Sequence, residues 1–329
     1  MEAIQVLNPG KNSTLEIQTV PTPQPESHEI LVRIKAAGVN RADLLQRTGN
    51  YPPPEGASSI LGLEIAGVVE QTGSEVNKWQ PGDRVFGLLS GGGYASYGVI
   101  HREMAMAIPE NLSFSEAAAI PETFLTAYQA LNWLGKVQSG ETVLIHAAGS
   151  GVGTSAIQLS HHLFGAKIIA TAGKQQKLET ASELGADWTY NYNTQHYANE
   201  IIQQLGPDSV DLIIDFIGEP YWHKNMDVLG MDGRVVYLAF LGGHAIEHLS
   251  LVPILRKRLK IMGSTLRSRP PEYKIELSKE FISQTQDLFT NNTLKPVIDS
   301  TYDWTRAEAA HQRMQENKNT GKIVLTGMG

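Results

Sequence analysis

The chain has 329 residues, 34 acidic against 27 basic side chains for a formal net charge of −7, and no cysteine. The length predicts roughly two domains, and the missing thiol excludes disulfides, iron–sulfur clusters, a cysteine nucleophile and all-cysteine zinc sites. The acidic excess argues against nonspecific nucleic-acid binding, which needs clustered Lys and Arg.

The first 115 or so residues read as short strands punctuated by Gly and Pro. Glu29 to Ala36 alternates, with Ile30, Val32 and Ile34 facing away from Leu31, Arg33 and Lys35; Ile65 to Glu70 and Arg84 to Leu88 are further strands. From Ser115 helices alternate with apolar strands, the pattern of a parallel α/β sheet. Strands are expected at Thr142 to Ala147, Lys167 to Ala172, Val210 to Asp215, Arg234 to Leu238 and, at an edge, Leu259 to Ser264. Helices are expected at Val152 to Leu163 and Lys174 to Leu184, then Glu272 to Phe289 and Thr305 to Glu316 before a closing strand, Lys322 to Thr326. The basic triplet Arg256-Lys257-Arg258 reads as the solvated end of a helix. No stretch approaches the roughly 20 apolar residues that span a bilayer. Met1 to Lys11 lacks the pattern of a signal peptide, so the expectation is a cytoplasmic protein with neither membrane nor nucleic-acid partner.

The most informative stretch is Thr142 to Gly153, a buried strand running through Ala148-Gly149-Ser150-Gly151-Val152-Gly153 into a helix. This is the strand–turn–helix context of a dinucleotide fingerprint, with Ala148 and Ser150 in its first two glycine places. Small residues bring the backbone close to a pyrophosphate, Gly153 permits close helix–strand contact, and the helix N-terminus offers free N–H groups and a positive dipole end. The hydrolase elbow G-x-S-x-G needs glycine where Ala148 and Val152 stand, which speaks against it. An NAD site places an acid about 20 residues beyond the fingerprint. Here that count reaches Gly173, followed by Lys174 and Lys177. A glycine leaves room for a 2′-phosphate and a lysine supplies a charge for it, so NADPH is favoured over NADH.

Together with Ala36-Ala37-Gly38-Val39-Asn40-Arg41-Ala42-Asp43, Gly62-Leu63-Glu64, Ala66-Gly67-Val68-Val69, Pro81-Gly82-Asp83-Arg84-Val85 and Asn317 to Lys322, this turn resembles the medium-chain dehydrogenase/reductase superfamily. Within it the chain is similar to the zinc-free NADPH:quinone oxidoreductases related to zeta-crystallin, nearly end to end. Arg47 to Leu63, with Tyr51-Pro52-Pro53-Pro54, looks most like the stress-inducible, tumour-suppressor-regulated branch. The resemblance implies an α/β protein in which a GroES-like β-rich catalytic domain, residues 1–122 and 265–329, surrounds a Rossmann domain with a doubly wound parallel sheet, residues 123–264. It also implies an interdomain cleft and a homodimer joined through Rossmann edge strands near Arg234 to Phe240 and Leu259 to Ser264.

Zinc-dependent members carry a Cys at the position of Asn40 and a His at that of Leu63, so the resemblance implies chemistry without a metal. By position, Gly173, Lys177 and Tyr192 resemble the group that cradles the adenosine 2′-phosphate, with Lys322 at the same end of the cofactor. Thr126, Phe240 and Thr265 fall on the nicotinamide side, and Asn40, Asp43 and Tyr51 on segments facing the substrate. Plainer roles stand beside these: Asn40 bonding loop backbone, Asp43 capping the helix around Leu44 to Arg47, Tyr51 packing a proline-rich loop, Tyr192 as a buried aromatic. His244-Ala245-Ile246-Glu247-His248 spells an inverted zinc-protease motif with no clear third ligand, and His161-His162 are poor joint ligands on a helix. The implied activity is hydride transfer from NADPH to a quinone or another electrophilic carbonyl substrate. Its alternatives are reduction of activated alkenes (enones or enoyl thioesters) and a nonenzymatic NADPH-binding protein.

Overall fold

The computed structural model describes residues 1–329 and brings both ends of the chain into one sheet. The chain enters through an antiparallel ribbon, β1 (Glu2–Leu7) and β2 (Thr14–Thr19), then β3 (Glu29–Val39), α1 (Arg41–Arg47), β4 (Glu64–Thr72), β5 (Arg84–Leu88), β6 (Tyr97–His101) and β7 (Met106–Ala107). The short α2 (Phe114–Ala118) and α3 (Pro121–Tyr128) follow. Next come β8 (Thr142–Ile145), α4 (Gly151–His162), β9 (Lys167–Ala172), α5 (Gln175–Glu183), β10 (Trp188–Asn191), α6 (Tyr197–Leu205), β11 (Val210–Asp215), α7 (Trp222–Val228), β12 (Leu229–Tyr237), α8 (Val252–Arg256) and β13 (Lys260–Gly263). The tail is α9 (Pro271–Thr290), β14 (Ile298–Asp303), α10 (Ala307–Gln315) and β15 (Lys322–Thr326). Two compact units result, Met1–Leu125 with Leu266–Gly329, and Thr126–Thr265. No helix is long and apolar enough to cross a membrane.

In the first unit β3 is the hub. It pairs antiparallel with β4, β6 and β15. A strand covered on both faces gains from apolar residues at successive positions, and Leu31 is accordingly buried beside Ile30 and Val32 rather than turned outward. Bulges at Leu31/Val32 and Ile34/Ala36 re-aim the strand before it delivers Asn40 to the start of α1.

The second unit holds a six-stranded parallel sheet in the order β10-β9-β8-β11-β12-β13. Its central strands are apolar on both faces (Leu144, Ile145, Ile168, Ile169, Ile213, Ile214), as a parallel sheet covered by helices requires. The direction of strand succession reverses between β8 and β11, so the turn after β8 opens at the switch point where such sheets bind ligands. β12 is bonded on both sides, which corrects the expectation of a free edge at Arg234 to Phe240; the open edges of this sheet are β13 and, at the far end, β10. The basic triplet closes α8, but Lys257 is not simply solvated: its Nζ donates to Met226 O and Leu229 O at 2.8 Å, capping α7, and pairs with Asp208 at 2.7 Å.

Candidate active site and cofactor cradle

The cradle is built from the second unit. Two residues beyond β8 stands Ala147, a non-glycine residue at φ +47°, and Ala148 N–H reaches across to Thr171 O at 3.0 Å. Ser150 is the N-cap of α4, its Oγ accepting from Gly153 N–H at 3.0 Å, so the hydroxyl secures the helix start that presents the free N–H groups. Gly153 is required by space: a Cβ would sit 2.5 Å from Ala147 O. Gly151 and Val152 form the first turn of α4 behind Ser150. The side chain of Lys177, from α5, lies across Gly149, where a Cβ would meet its Cγ at 2.7 Å. Gly173, after β9, is likewise covered by Tyr192, whose hydroxyl a Cβ would approach to 2.5 Å. Gly149, Lys177, Gly173 and Tyr192 thus line adjoining strand ends, and no carboxylate stands at the position after β9 where an NAD site has one. Tyr192 is 42% exposed, not a buried aromatic.

At the other side of the same sheet, Ser264 N–H donates to Tyr237 O at 2.9 Å and Ser264 Oγ to Gln129 Oε1 at 2.9 Å, tying the ends of β12 and β13 to the helical segment that carries Thr126. Phe240 is half exposed with its ring 5.4 Å from that of Tyr237, and Thr265 is exposed beside Ser264. Under the turn lies a polar network that the sequence pattern did not single out. His146 is fully buried between Thr171 Oγ1 (2.8 Å) and Asn225 Oδ1 (2.9 Å), and Asn225 Nδ2 donates to Asp215 Oδ2 at 2.7 Å. These contacts lash β8, β9, β11 and α7 together directly behind the phosphate turn. Burial holds the imidazole below its usual pKa, keeping it neutral.

The first unit gathers the residues expected at the substrate, with two corrections. Asp43 is fully buried: one carboxylate oxygen accepts from Asn40 N–H at 2.8 Å and from Tyr94 Oη–H at 3.2 Å, the other from Gly62 N–H at 2.9 Å. It caps α1 and pins the loop before β4, and it faces no substrate. Burial raises its pKa to about 6 despite the two backbone donors. Lys322 does not extend to a cofactor phosphate. Its buried Nζ donates to Val39 O (2.9 Å), Asn40 Oδ1 (2.8 Å) and Glu64 Oε1 (2.5 Å), so all three protons are engaged. An ammonium this deep is stable only beside a carboxylate, and Glu64 supplies it.

Asn40 is held between Lys322 and Glu64, its Nδ2 donating to Glu64 Oε1 at 2.8 Å and facing Gly38 O at 3.4 Å. Glu64 Oε2 accepts from Glu122 N–H at 2.7 Å, and a Cβ on Gly38 would collide with Glu64 Oε1 at 2.1 Å. The Glu122 carboxyl, desolvated and facing the charge of Glu64, is raised to about 8 and holds its proton at neutral pH. Tyr51 is half buried, with the Arg267 guanidinium 5.5 Å from its ring centroid, and its hydroxyl has no hydrogen-bond partner in the chain. Of Asn40, Asp43 and Tyr51, it alone keeps a free donor. No group of three or more His, Cys, Asp or Glu is arranged to hold a metal ion, at His244, Glu247 and His248 or elsewhere.

Residues 151–284 match the zinc-binding dehydrogenase family, and residues 26–110 the alcohol dehydrogenase GroES-like domain. The chain is 30% identical to human quinone oxidoreductase over 328 residues, 99% of this chain and 97% of that protein. It superposes on Escherichia coli quinone oxidoreductase complexed with NADPH at a TM-score of 0.87, with 28% identity and 99% of both chains covered. It superposes equally widely on the CurK enoyl reductase, at a TM-score of 0.84 and 29% identity over 99% of this chain and 98% of that one.

Proposed function

The chain belongs to the quinone oxidoreductase family of the medium-chain dehydrogenase/reductase superfamily, and from that premise we propose that it reduces quinones with NADPH and without a metal. Its two units are the family's GroES-like and Rossmann domains. The observation that carries the reading is the cradle: a capped helix N-terminus, Gly173 under Tyr192, and Lys177 across Gly149, with no acid to repel a 2′-phosphate. When bound, NADPH supplies hydride from C4 of its nicotinamide. The free N–H groups at the start of α4 hold the pyrophosphate, Lys177 and Tyr192 bind the 2′-phosphate, and Thr126, Phe240 and Thr265 orient the nicotinamide. Tyr51 donates a hydrogen bond to the oxygen on which charge develops. Asn40 acts from behind, hydrogen-bonding both members of the Lys322–Glu64 ion pair. The positions of Asn40 and Leu63 offer no metal ligand, which supports the metal-free reading. The free edge at β13 supports a homodimer.

Two observations favour a second reading, reduction of an activated alkene: the likeness to an enoyl reductase and the unpartnered Tyr51 hydroxyl, since that reaction must protonate carbon. Following NADPH absorbance with an ortho-quinone, a para-quinone and an enone separates them. The expected result is turnover with a quinone that Tyr51→Phe lowers only moderately. Turnover confined to the enone and crippled by Tyr51→Phe would reverse the order, and no turnover with any acceptor would leave a cofactor-binding protein.

A further inference from the structure

Asn225, on α7, is fully buried and joins two sets of hydrogen bonds. On one side its Nδ2 donates to Asp215 Oδ2 at 2.7 Å, and Asp215 Oδ1 accepts from Ile217 N–H at 2.5 Å and Gly218 N–H at 3.0 Å. Asp215 thus accepts on both oxygens, which fixes the amide: Asn225 Oδ1 turns the other way and accepts from Tyr197 Oη–H at 3.1 Å and from His146 at 2.9 Å. His146 can donate there only from a protonated Nε2, so its Nδ1 accepts from the Thr171 hydroxyl, 2.8 Å away. The bonds continue beyond Gly218. Leu241 N–H donates to Phe216 O and Gly242 N–H to Ile217 O, both at 2.9 Å, and Glu219 N–H returns to Gly243 O at 2.9 Å. The Phe240 ring lies on Gly218, where a Cβ would come within 2.7 Å of its Cδ1. The loop that carries Phe240 therefore hangs on residues 216–219, and their N–H groups hang on Asp215. The phosphate turn has ties of its own: the Ser150 cap, Ala148 N–H to Thr171 O, and His146 N–H to Ile214 O at 3.1 Å.

We propose that Asn225 is a positioning residue for the nicotinamide end of the cofactor: anchored on His146 in its Nε2–H form, it holds Asp215 against Ile217 and Gly218 and so fixes the loop that presents Phe240. The inference rests on the NADPH reading of the cradle and on the placement of Phe240 at the nicotinamide. Without Asn225 one oxygen of a fully buried carboxylate loses its partner, and a carboxylate that shifts to find another releases the two N–H groups that tie down residues 216–219. The loss falls on one half of the dinucleotide and spares the half held at the start of α4 and by Lys177.

The experiment is calorimetric titration of the full chain with NADPH and with adenosine 2′,5′-bisphosphate, which carries only the phosphate end, beside nitrogen NMR of the histidine-labelled chain without cofactor. Asn225→Ala should weaken NADPH about tenfold and adenosine 2′,5′-bisphosphate less than about twofold. Phe240→Ala should also weaken NADPH selectively, and the two substitutions together should have less than the product of their separate effects. In the parent the His146 signal, assigned as the one absent from His146→Gln, should show the proton on Nε2. Asp215→Asn, a conservative change that keeps the measurement available if Asn225→Ala does not fold, presents a donor to Asn225; the Asn225 amide then turns over, and the His146 proton should move to Nδ1. Equal weakening of both ligands by Asn225→Ala overturns the proposal, as does a proton on Nδ1 in the parent or a tautomer unchanged in Asp215→Asn. A parent that binds neither ligand ends the NADPH reading itself, whereas a parent that binds both, with no selective loss in Asn225→Ala, ends only the role of Asn225.

Discussion

Glu122 sits in sequence one residue after a proline at the start of a helix, a position that ordinarily reads as a favourable first-turn acid. Its surroundings reverse that expectation, because desolvation and the neighbouring charge of Glu64 raise its pKa to about 8 from an ordinary 4.5. The folded chain therefore holds this proton over a pH range where the unfolded chain has lost it. A raised carboxyl pKa contributes stability that is complete below the unfolded value and disappears as pH climbs through the folded one. His311, pushed down to about 3 by burial and Arg47, has the opposite slope, but only below its ordinary value of 6.5. Between pH 6.5 and 8.5 Glu122 is thus isolated from both His311 and Asp43. Denaturant unfolding across that window should show the parent losing stability with rising pH, and Glu122→Gln losing less, by on the order of 1–2 kcal/mol. Identical slopes would mean that Glu122 is ionised throughout.

The same scale explains what the sequence left hidden. The family likeness puts Asn40 and Asp43 at the substrate and Lys322 at a cofactor phosphate, yet apart from the local contacts of Asn40 with Asp43 and Gly38 their side-chain partners are 19 to 283 residues away in the chain, and only tertiary packing shows that they are spent largely on one another and on Glu64. Arg267 and Lys274 gave no signal at all, because a buried cation looks the same as a surface one in a single sequence.

At the level of elements, the cradle was the most readable part of the protein. Strand, turn and helix are contiguous from Thr142 to His162, so the chemistry of the turn is written in local order. The strands Lys167–Ala172, Val210–Asp215 and Lys322–Thr326 coincide with their apolar runs for the same reason. Short β10 and α6 did not stand out, since four residues, Trp188–Asn191, offer too little periodicity to separate strand from loop. The His146 network was equally invisible, being assembled from three strands and a helix.

What the local order does predict is cofactor choice. Lys177 lies against the phosphate turn at Gly149, where one charge-assisted hydrogen bond to a 2′-phosphate is worth about 1.5–3 kcal/mol. Lys177→Ala should therefore raise KM for NADPH by roughly 10- to 100-fold and leave that for NADH nearly unchanged, as initial rates with each cofactor will show. Equal effects on both would remove Lys177 from the 2′-phosphate site.

For the whole molecule, periodicity alone placed a β-rich segment before a doubly wound one and left the tail unassigned; only the family likeness returned it to the first unit. The homodimer proposed above can be tested at β13, one of the two open edges of the parallel sheet. β13 is an edge strand of its sheet, and Val252 and Leu255 of α8, Leu251 just before it and Ile261 of β13 are exposed, Leu255 to 82%. An unpaired strand edge with apolar neighbours is a liability in a monomer, and pairing it with its own copy resolves both problems at once. In the proposed homodimer a two-fold axis beside β13 would set the two edges antiparallel and join two six-stranded sheets into one, with α8 covering its counterpart. Sedimentation at micromolar concentration should accordingly give twice the 36.0 kDa chain mass for the parent, and the single-chain mass for Leu255→Glu combined with Ile261→Glu. A parent that sediments as a monomer refutes the dimer. A double variant that stays dimeric with its fold intact moves the interface away from β13, because two like charges on each side of a two-fold axis face themselves and repel.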